Sequence, residues 1–297
     1  VRLSAAEQQT WLRPDLPRLA AFFANPAKCL LRDRLGIQLE PPTPDPGHRE
    51  PFHLQGLERF EAGRRLLEHR LAGGLPEPVF EELRAAGRLP HGTVGEVAFQ
   101  ELWAEVNRFA RRLEPLLPAG TERAIEACWE LGGTRLTVQL AAIRGGSCLR
   151  CRFGKLRARD VIELWLQHLA LCLSSEDGCA CVSAMVATDQ TLRFTPETQS
   201  RAVLEELLSL YRRGIESPLA FFPKSSLAFA RSARRSEARA LAAARSVWEG
   251  SDRRPGEGAD PYFRRCFETV EPLGDEFMQL SRRVFDPILR CAAFENA

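Results

Sequence analysis

Arg123-Ala124-Ile125-Glu126-Ala127-Cys128-Trp129-Glu130-Leu131-Gly132-Gly133-Thr134-Arg135-Leu136-Thr137-Val138-Gln139-Leu140-Ala141-Ala142-Ile143-Arg144-Gly145-Gly146-Ser147-Cys148-Leu149-Arg150-Cys151-Arg152-Phe153 holds three short runs in which apolar and polar side chains alternate. Alternation is the period a strand imposes, so residues 123–131, 134–143 and 147–153 are predicted as strands. Gly132-Gly133 and Gly145-Gly146 part them, and a glycine pair supplies the positive φ that a tight hairpin needs. Before this meander, Val94 to Leu117 reads as a helix with Phe99, Leu102, Trp103, Val106, Phe109 and Leu113 along one side. After it, Arg157 to Leu173 reads as a helix with Val161, Leu164, Trp165, His168, Leu169 and Cys172 inward. A further strand, Cys181 to Ala187, turns at Thr188-Asp189-Gln190 into Thr191 to Phe194. The order is α-β-β-β-α-β.

Both flanks are helical. Asp15 to Leu35 is predicted as helix interrupted at Asn25-Pro26, and the proline-rich stretch 40–51 as an exposed connector. A helix with Leu57, Phe60, Leu67 and Leu71 on one stripe ends at Gly73-Gly74, and a shorter one spans Pro76 to Ala86. Towards the other end, Glu197 to Arg213 is closed by Gly214, and Ser225-Ser226 caps a helix reaching Trp248. Residues 249–261 read as a loop, followed by helices at Tyr262 to Phe267 and Phe277 to Phe294, kinked by Pro287. No internal repeat is visible. The expected organisation is a helical N-terminal region over residues 1–93, a core over 94–195 and a helical C-terminal region over 196–297. Together they would make one domain of a longer chain, which here starts on Val1.

Composition narrows the function classes. With 44% hydrophobic and 27% charged residues among 297, the chain has the make-up of a globular protein with a sizeable core. No run of 18 apolar residues predicts a membrane span, and no leader is recognisable. The net charge is only +2, yet Lys28, Lys155 and Lys224 are the sole lysines among 41 cations. A GC-rich coding bias explains that excess of arginine; recognition of phosphate by the guanidinium fork is the functional alternative. Nine cysteines, an odd number without a leader, point to a reducing cytoplasm. Cys148 and Cys151, with Cys179 and Cys181, have a zinc-like spacing, but an i,i+3 pair on a strand faces opposite ways, so no metal site is expected. His168 reads as a satisfied core residue. No phosphate-binding glycine loop or Ser/His/Asp set codes for ATP hydrolysis or nucleophilic catalysis.

The α-β-β-β-α-β order resembles the core of the PD-(D/E)xK nucleases, where a meander feeds a crossover helix and another strand. The resemblance implies an α/β (α+β mixed) fold with a nuclease-like core surrounded by helices. In active members an Asp on the second strand and an acidic-x-Lys triplet on the third hold Mg²⁺ and polarise the attacking water. Laid onto this sequence, the Asp falls at or next to Ala141 and the triplet is Arg150-Cys151-Arg152. Both carboxylates are missing. A cation where a divalent ion should sit repels it by a few kcal/mol even at an effective dielectric of ~20. The expectation is a degenerate site with no catalytic residue and no bound metal.

A second resemblance runs along most of the chain. Leu19-Ala20-Ala21-Phe22-Phe23-Ala24-Asn25-Pro26-Ala27 with Leu31-Arg32-Asp33-Arg34-Leu35-Gly36-Ile37 resembles the opening of the RecC C-terminal domain family. Glu50 to Leu57, Arg84 to Glu96, Leu164 to Leu169, Tyr211-Arg212-Arg213-Gly214 and Ser217-Pro218-Leu219 are similar to further signatures of that family, in order. The resemblance implies a non-catalytic domain of the gamma subunit of exodeoxyribonuclease V. Its partners would be RecB-like and RecD-like subunits, which use the Mg and ATP, with double-stranded DNA ends and single-stranded DNA as the other ligands. No cofactor is implied for this chain; the cysteines that hold an iron–sulfur cluster in AddB-type relatives are reduced here to Cys266 and Cys291. The turn Gly87 to Gly95 and the hairpin around Asp189 are the candidates for an element that splits the duplex.

From Arg144 to Arg159 the chain carries six cations, Arg144, Arg150, Arg152, Lys155, Arg157 and Arg159, and no acid before Asp160. They are the DNA-binding candidates; alternatively they pair with glutamates such as Glu126 or Glu163. Arg231, Arg234 and Arg235 open a second arginine-rich stretch and are the candidates for partner contact, or a solvated helix face. Two rival functions stay open: an active metal nuclease with relocated carboxylates, and a docking module that never touches DNA.

Overall fold

The computed structural model describes residues 2–39, 56–175, 181–252 and 254–296, without the side chain of Leu57. The proline-rich connector, the Glu50 to Gln55 stretch of one family signature, Cys179 and Arg253 lie outside the described residues. A first helix, α1 (Ala5–Trp11), is followed by α2 (Leu16–Ala24) and α3 (Pro26–Lys28), which runs on into a π-turn over Cys29–Arg34. Then come α4 (Gly56–Leu71), α5 (Glu77–Ala85) and α6 (Thr93–Leu113). Next are β1 (Glu122–Leu131), β2 (Thr134–Arg144), β3 (Ser147–Arg152), α7 (Ala158–Ser174), β4 (Val182–Ala187) and β5 (Gln190–Phe194). The chain continues with α8 (Ser200–Glu216), α9 (Pro223–Ala233), α10 (Glu237–Glu249) and the two-residue strands β6 (Gly250–Ser251) and β7 (Arg254–Pro255). It closes with α11 (Pro261–Phe267), α12 (Asp275–Cys291) and β8 (Ala292–Asn296).

Six strands form one sheet in the order β1-β2-β3-β4-β5-β8. All neighbours are antiparallel except β3 and β4, which α7 joins by a crossover. Both faces are covered, and the pleat shows how. Adjacent Met185 and Val186 on β4 enter different apolar clusters, as Cys148 and Leu149 do on β3. One cluster packs the sheet against α2, α7, α8 and α12, centred on Trp165, Phe22 and Tyr211; the other packs it against α4, α5 and α6 through Leu66, Phe99 and Leu102. A third unites α9, α10, α11 and the first turn of α12 around Phe222 and Phe277. Among the described residues no helix is long and apolar enough to cross a membrane.

Three expectations are corrected. Gly214 does not end its helix; α8 runs to Glu216, and the glycine lies where a Cβ would come 2.3 Å from Phe22 Cζ. The helix expected from Ser225 to Trp248 is two, because Ser236 leaves helical geometry and its hydroxyl caps α10 by accepting from Arg239 N–H. The last helix stops at Cys291, and Ala292–Asn296 pairs with β5 as a sixth strand, its Phe294 packing on the main core.

Candidate functional site

The two strands that should carry the metal ligands separate where the ligands would sit. β2 and β3 pair only at Ile143↔Cys148 and Arg144↔Ser147. Beyond that the sheet forks, and the segment before α2 takes the free edge of β2: Arg135 N–H donates to Leu12 C=O at 2.9 Å and Thr137 N–H to Pro14 C=O at 3.0 Å. A bulge marks the fork. Ala141 and Ala142 are both skipped between the pairs Ile125↔Leu140 and Arg123↔Ile143, and Ala142 holds φ +59°, a left-handed conformation that costs a non-glycine residue about 1 kcal/mol or more.

Into this fork reaches the guanidinium of Arg150. Its Nη2 donates to Ala141 C=O at 3.1 Å and its Nε to Gln167 Oε1 of α7 at 3.0 Å. The two positions where carboxylates would be needed are thus joined by an arginine hydrogen bond. Arg152, two residues on, is 12% exposed and donates from Nε to Lys155 C=O at 3.1 Å. It also lies 3.4 Å from Asp160 and 4.8 Å above the Phe60 ring. Burial lowers its pKa, Asp160 opposes that, and Arg157 and Arg159 add to it.

Asp160 is the carboxylate nearest in kind to a relocated ligand, and it is fully engaged. In the first turn of α7 it accepts from Arg157 N–H at 2.9 Å, while Arg152 and Arg159 flank it at 3.4 and 3.6 Å. The donor set does not fit a divalent cation, and among the described residues no three His, Cys, Asp or Glu side chains gather in a metal-binding group. Cys148 and Cys151 also turn apart, one buried and one exposed.

The six cations divide by environment. Arg150 and Arg152 are spent inside the domain, and Arg144 pairs with Glu122 at 3.0 Å. The carboxylates they meet are Glu122 and Asp160, not Glu126 or Glu163. Lys155 and Arg157 are exposed and make no ion pair among the described residues, and Arg159 is exposed beside Asp160. Residues that the sequence pattern did not single out join them: Lys28, Arg32 and Lys224 line one cleft with Arg157 and Arg159. The usable signal was the rarity of lysine, since two of the chain's three lysines meet there.

Arg231 lies on the Phe294 ring, 4.4 Å from its centroid, which fastens α9 to the last strand. Arg234 and Arg235 are exposed, and Arg234 shares a cleft of about 670 Å³ with Arg282, Arg283 and Arg290. Both candidates for a splitting element are turns of the scaffold. Gly87 and Gly92 bend the α5–α6 connection with positive φ, and Asp189 accepts from Leu156 N–H at 2.9 Å, tying its hairpin to the start of α7. His168 is buried between Ser183 Oγ at 3.0 Å and Thr195 C=O at 2.9 Å. Burial brings its pKa down to about 4, so the ring is neutral near pH 7.

A family profile described as RecC C-terminal domain matches residues 11–234. The RecBCD enzyme subunit RecC of Escherichia coli (strain K12) is 28% identical over 290 residues, covering 93% of this chain and 25% of that protein. The subunit RecC of Mycobacterium tuberculosis (strain CDC 1551 / Oshkosh) is 28% identical over 267 residues, covering 87% and 24%. That of Buchnera aphidicola subsp. Schizaphis graminum is 22% identical over 294 residues, covering 93% and 27%. The chain spans about a quarter of the length of the curated relatives it matches.

Proposed function

The chain belongs to the RecC C-terminal domain family, and from that premise we propose that it is a non-catalytic domain of a RecBCD-type complex in the cytoplasm. In this reading it helps assemble RecB-like and RecD-like subunits and handles DNA ends during ATP-dependent unwinding and degradation for double-strand-break repair by homologous recombination. Mg and ATP serve the partners, not this chain. The sheet supports descent from a PD-(D/E)xK core: a meander, a crossover helix and a strand parallel to the third follow one another in that order. The observation that carries the non-catalytic reading is the Arg150 guanidinium bonded to Ala141 C=O, a permanent cation where two carboxylates would have to converge. Incubating the full-length subunit, without partners, with linear DNA and Mg²⁺ or Mn²⁺ tests it: no cleavage is expected, and metal-dependent cutting that survives Asp160→Asn would still refute it.

Assembly has its own observation. A groove of about 490 Å³ between α5 and α6 has Pro76, Phe80, Val97 and Phe99 in its lining, and Val97 is 58% exposed. Glu77, Glu96 and Glu101 stand on its rim without an ion pair among the described residues. Uncompensated carboxylates around apolar anchors suit a partner segment that alternates apolar residues with Lys or Arg.

A further inference from the structure

A cleft of about 820 Å³ lies where α2, α3 with its π-turn, the start of α7 and the start of α9 meet. Five cations line it, Lys28, Arg32, Arg157, Arg159 and Lys224, against two acids, Asp33 and Glu257. Both acids are already used. Asp33 pairs with Arg32 at 2.6 Å. Glu257 is buried and accepts from Lys224 N–H at 3.0 Å, Ser225 N–H at 2.7 Å and Ser225 Oγ at 2.8 Å. Lys28, Arg157 and Lys224 make no ion pair among the described residues, and the Lys28 ammonium has only the Tyr262 ring, 6.0 Å away.

The helix ends in this cleft are closed and supply none of the attraction. Asn25 Oδ1 caps α3 by accepting from Lys28 N–H at 2.9 Å, Asp160 occupies the first turn of α7, and Glu257 fills that of α9. What remains is side-chain charge, brought together from segments nearly 200 positions apart in the sequence. Coding bias toward arginine does not account for it, because two of the three lysines in the chain are here.

We propose that this cleft seats the sugar–phosphate backbone of a single nucleic-acid strand, with Lys28, Arg157, Arg159 and Lys224 against its phosphates. The proposal rests on the reading that the domain handles DNA and gives that contact an address away from the degenerate nuclease fork. Size argues for one strand: a duplex, whose major groove alone is ~12 Å wide, does not enter so small a cleft. Chemistry argues for phosphate over an acidic peptide. The apolar portion of the lining is Ala21, Ala24, Cys29, Ala158 and Pro223, with no large side chain to anchor a peptide. Lysine as a compact charge beside arginine forks is a combination that phosphate accepts from any direction.

The test is binding of a labelled oligo-thymidine single strand to the full-length subunit, followed by anisotropy through a salt series. For the triple variant Lys28→Gln, Arg157→Gln, Lys224→Gln, affinity should fall about tenfold or more. The slope of log K against log salt should become shallower by about 2, since each phosphate contact on a single strand carries ~0.7. Arg64→Gln, on α4 and outside the cleft, should leave both unchanged. A methylphosphonate strand, uncharged along its backbone, should bind the unmodified protein at least as weakly as the normal strand binds the triple variant, which keeps Arg159; this check needs no substitution. If the strand binds but the triple variant keeps its affinity and slope, the cleft is overturned while DNA handling stands. If the unmodified subunit binds no strand, both readings fall. If the triple variant instead loses only poly-glutamate binding, the occupant is an acidic peptide and the nucleic-acid assignment is wrong.

Discussion

Arg150 closes the fork between β2 and β3 with its own hydrogen bonds. A guanidinium has donors only and offers a metal ion no lone pair, and here those donors are spent on Ala141 C=O and Gln167 Oε1. His168 is a titratable group held neutral. Its pKa falls from 6.5 to about 4 through burial, so between those values the unfolded chain takes up a proton that the folded one refuses. The contribution to stability is complete above pH 6.5 and is lost as pH falls toward 4, by about 3 kcal/mol at ~1.4 kcal/mol per unit. Denaturant unfolding at pH 7 and pH 4.5 should therefore show a steeper loss for the unmodified protein than for His168→Gln, whose amide can still meet Ser183 and Thr195; parallel losses would contradict the assignment. The buried histidine was legible in the sequence because it falls on the apolar stripe of its helix. The alternation alone predicts an unbroken strand over 134–143; the bulge shows in it only as a change of step, with buried Leu136, Val138 and Leu140 recurring every two residues and Ile143 coming three later. The partners of the arginines were not legible. Arg152 meets Asp160 only because the chain turns back between β3 and α7, a geometry that alternation does not encode.

At the scale of elements, Gly214 separates propensity from packing. It sits inside α8, where alanine would favour the helix by up to ~1 kcal/mol. Against that, a Cβ would stand 2.3 Å from Phe22 Cζ and 2.8 Å from Leu219 Cδ1. Phe22 cannot retreat: it is fully buried and edge-packed on Phe23 and Tyr211, both at 5.0 Å. Overpacking of roughly 1–3 kcal/mol outweighs the helical gain. Gly214→Ala should thus lower stability by about 1 kcal/mol or more in chemical denaturation, and Gly214→Ala with Phe22→Leu should recover some of it; a stabilised single variant would show that Phe22 yields to the added methyl and that packing does not demand the glycine. A helix-ending glycine and a glycine that lets two helices touch look alike in one sequence. The same ambiguity hid β8. Residues 277–294 carry a helical period almost to their end, and only the pairing with β5, a strand about 100 residues earlier, extends Ala292–Asn296. The meander, by contrast, was readable because its strands are local, alternating and punctuated by glycine pairs.

For the whole molecule, the net charge of +2 is a sum of unlike surfaces. Around the α7–α9 cleft cations outnumber acids five to two, and both acids are engaged. On the α5–α6 groove, which belongs to the layer on the other face of the sheet, three glutamates have no counter-charge among the described residues. Within a domain, like charges ringing an apolar groove repel one another and are useful chiefly if a partner neutralises them. Reversing them therefore distinguishes a docking face from a solvated one. Glu96→Lys with Glu101→Lys should lower thermal stability only modestly, because neither carboxylate forms an ion pair among the described residues and the cost is that of a cation for Glu96 in the first turn of α6, about 1 kcal/mol, yet weaken recovery of RecB-like or RecD-like subunits by the full-length protein about tenfold or more at low salt. Val97→Asn should weaken it at every salt concentration, since it removes the apolar anchor and adds no charge to the field around it. If salt erases the first defect and not the second, charge steers and apolar burial holds the contact, as expected for a polar rim around an apolar centre. Unchanged recovery for all three substitutions would make the groove a solvated face and leave assembly to the surface of Arg234, Arg235 and the α12 arginines.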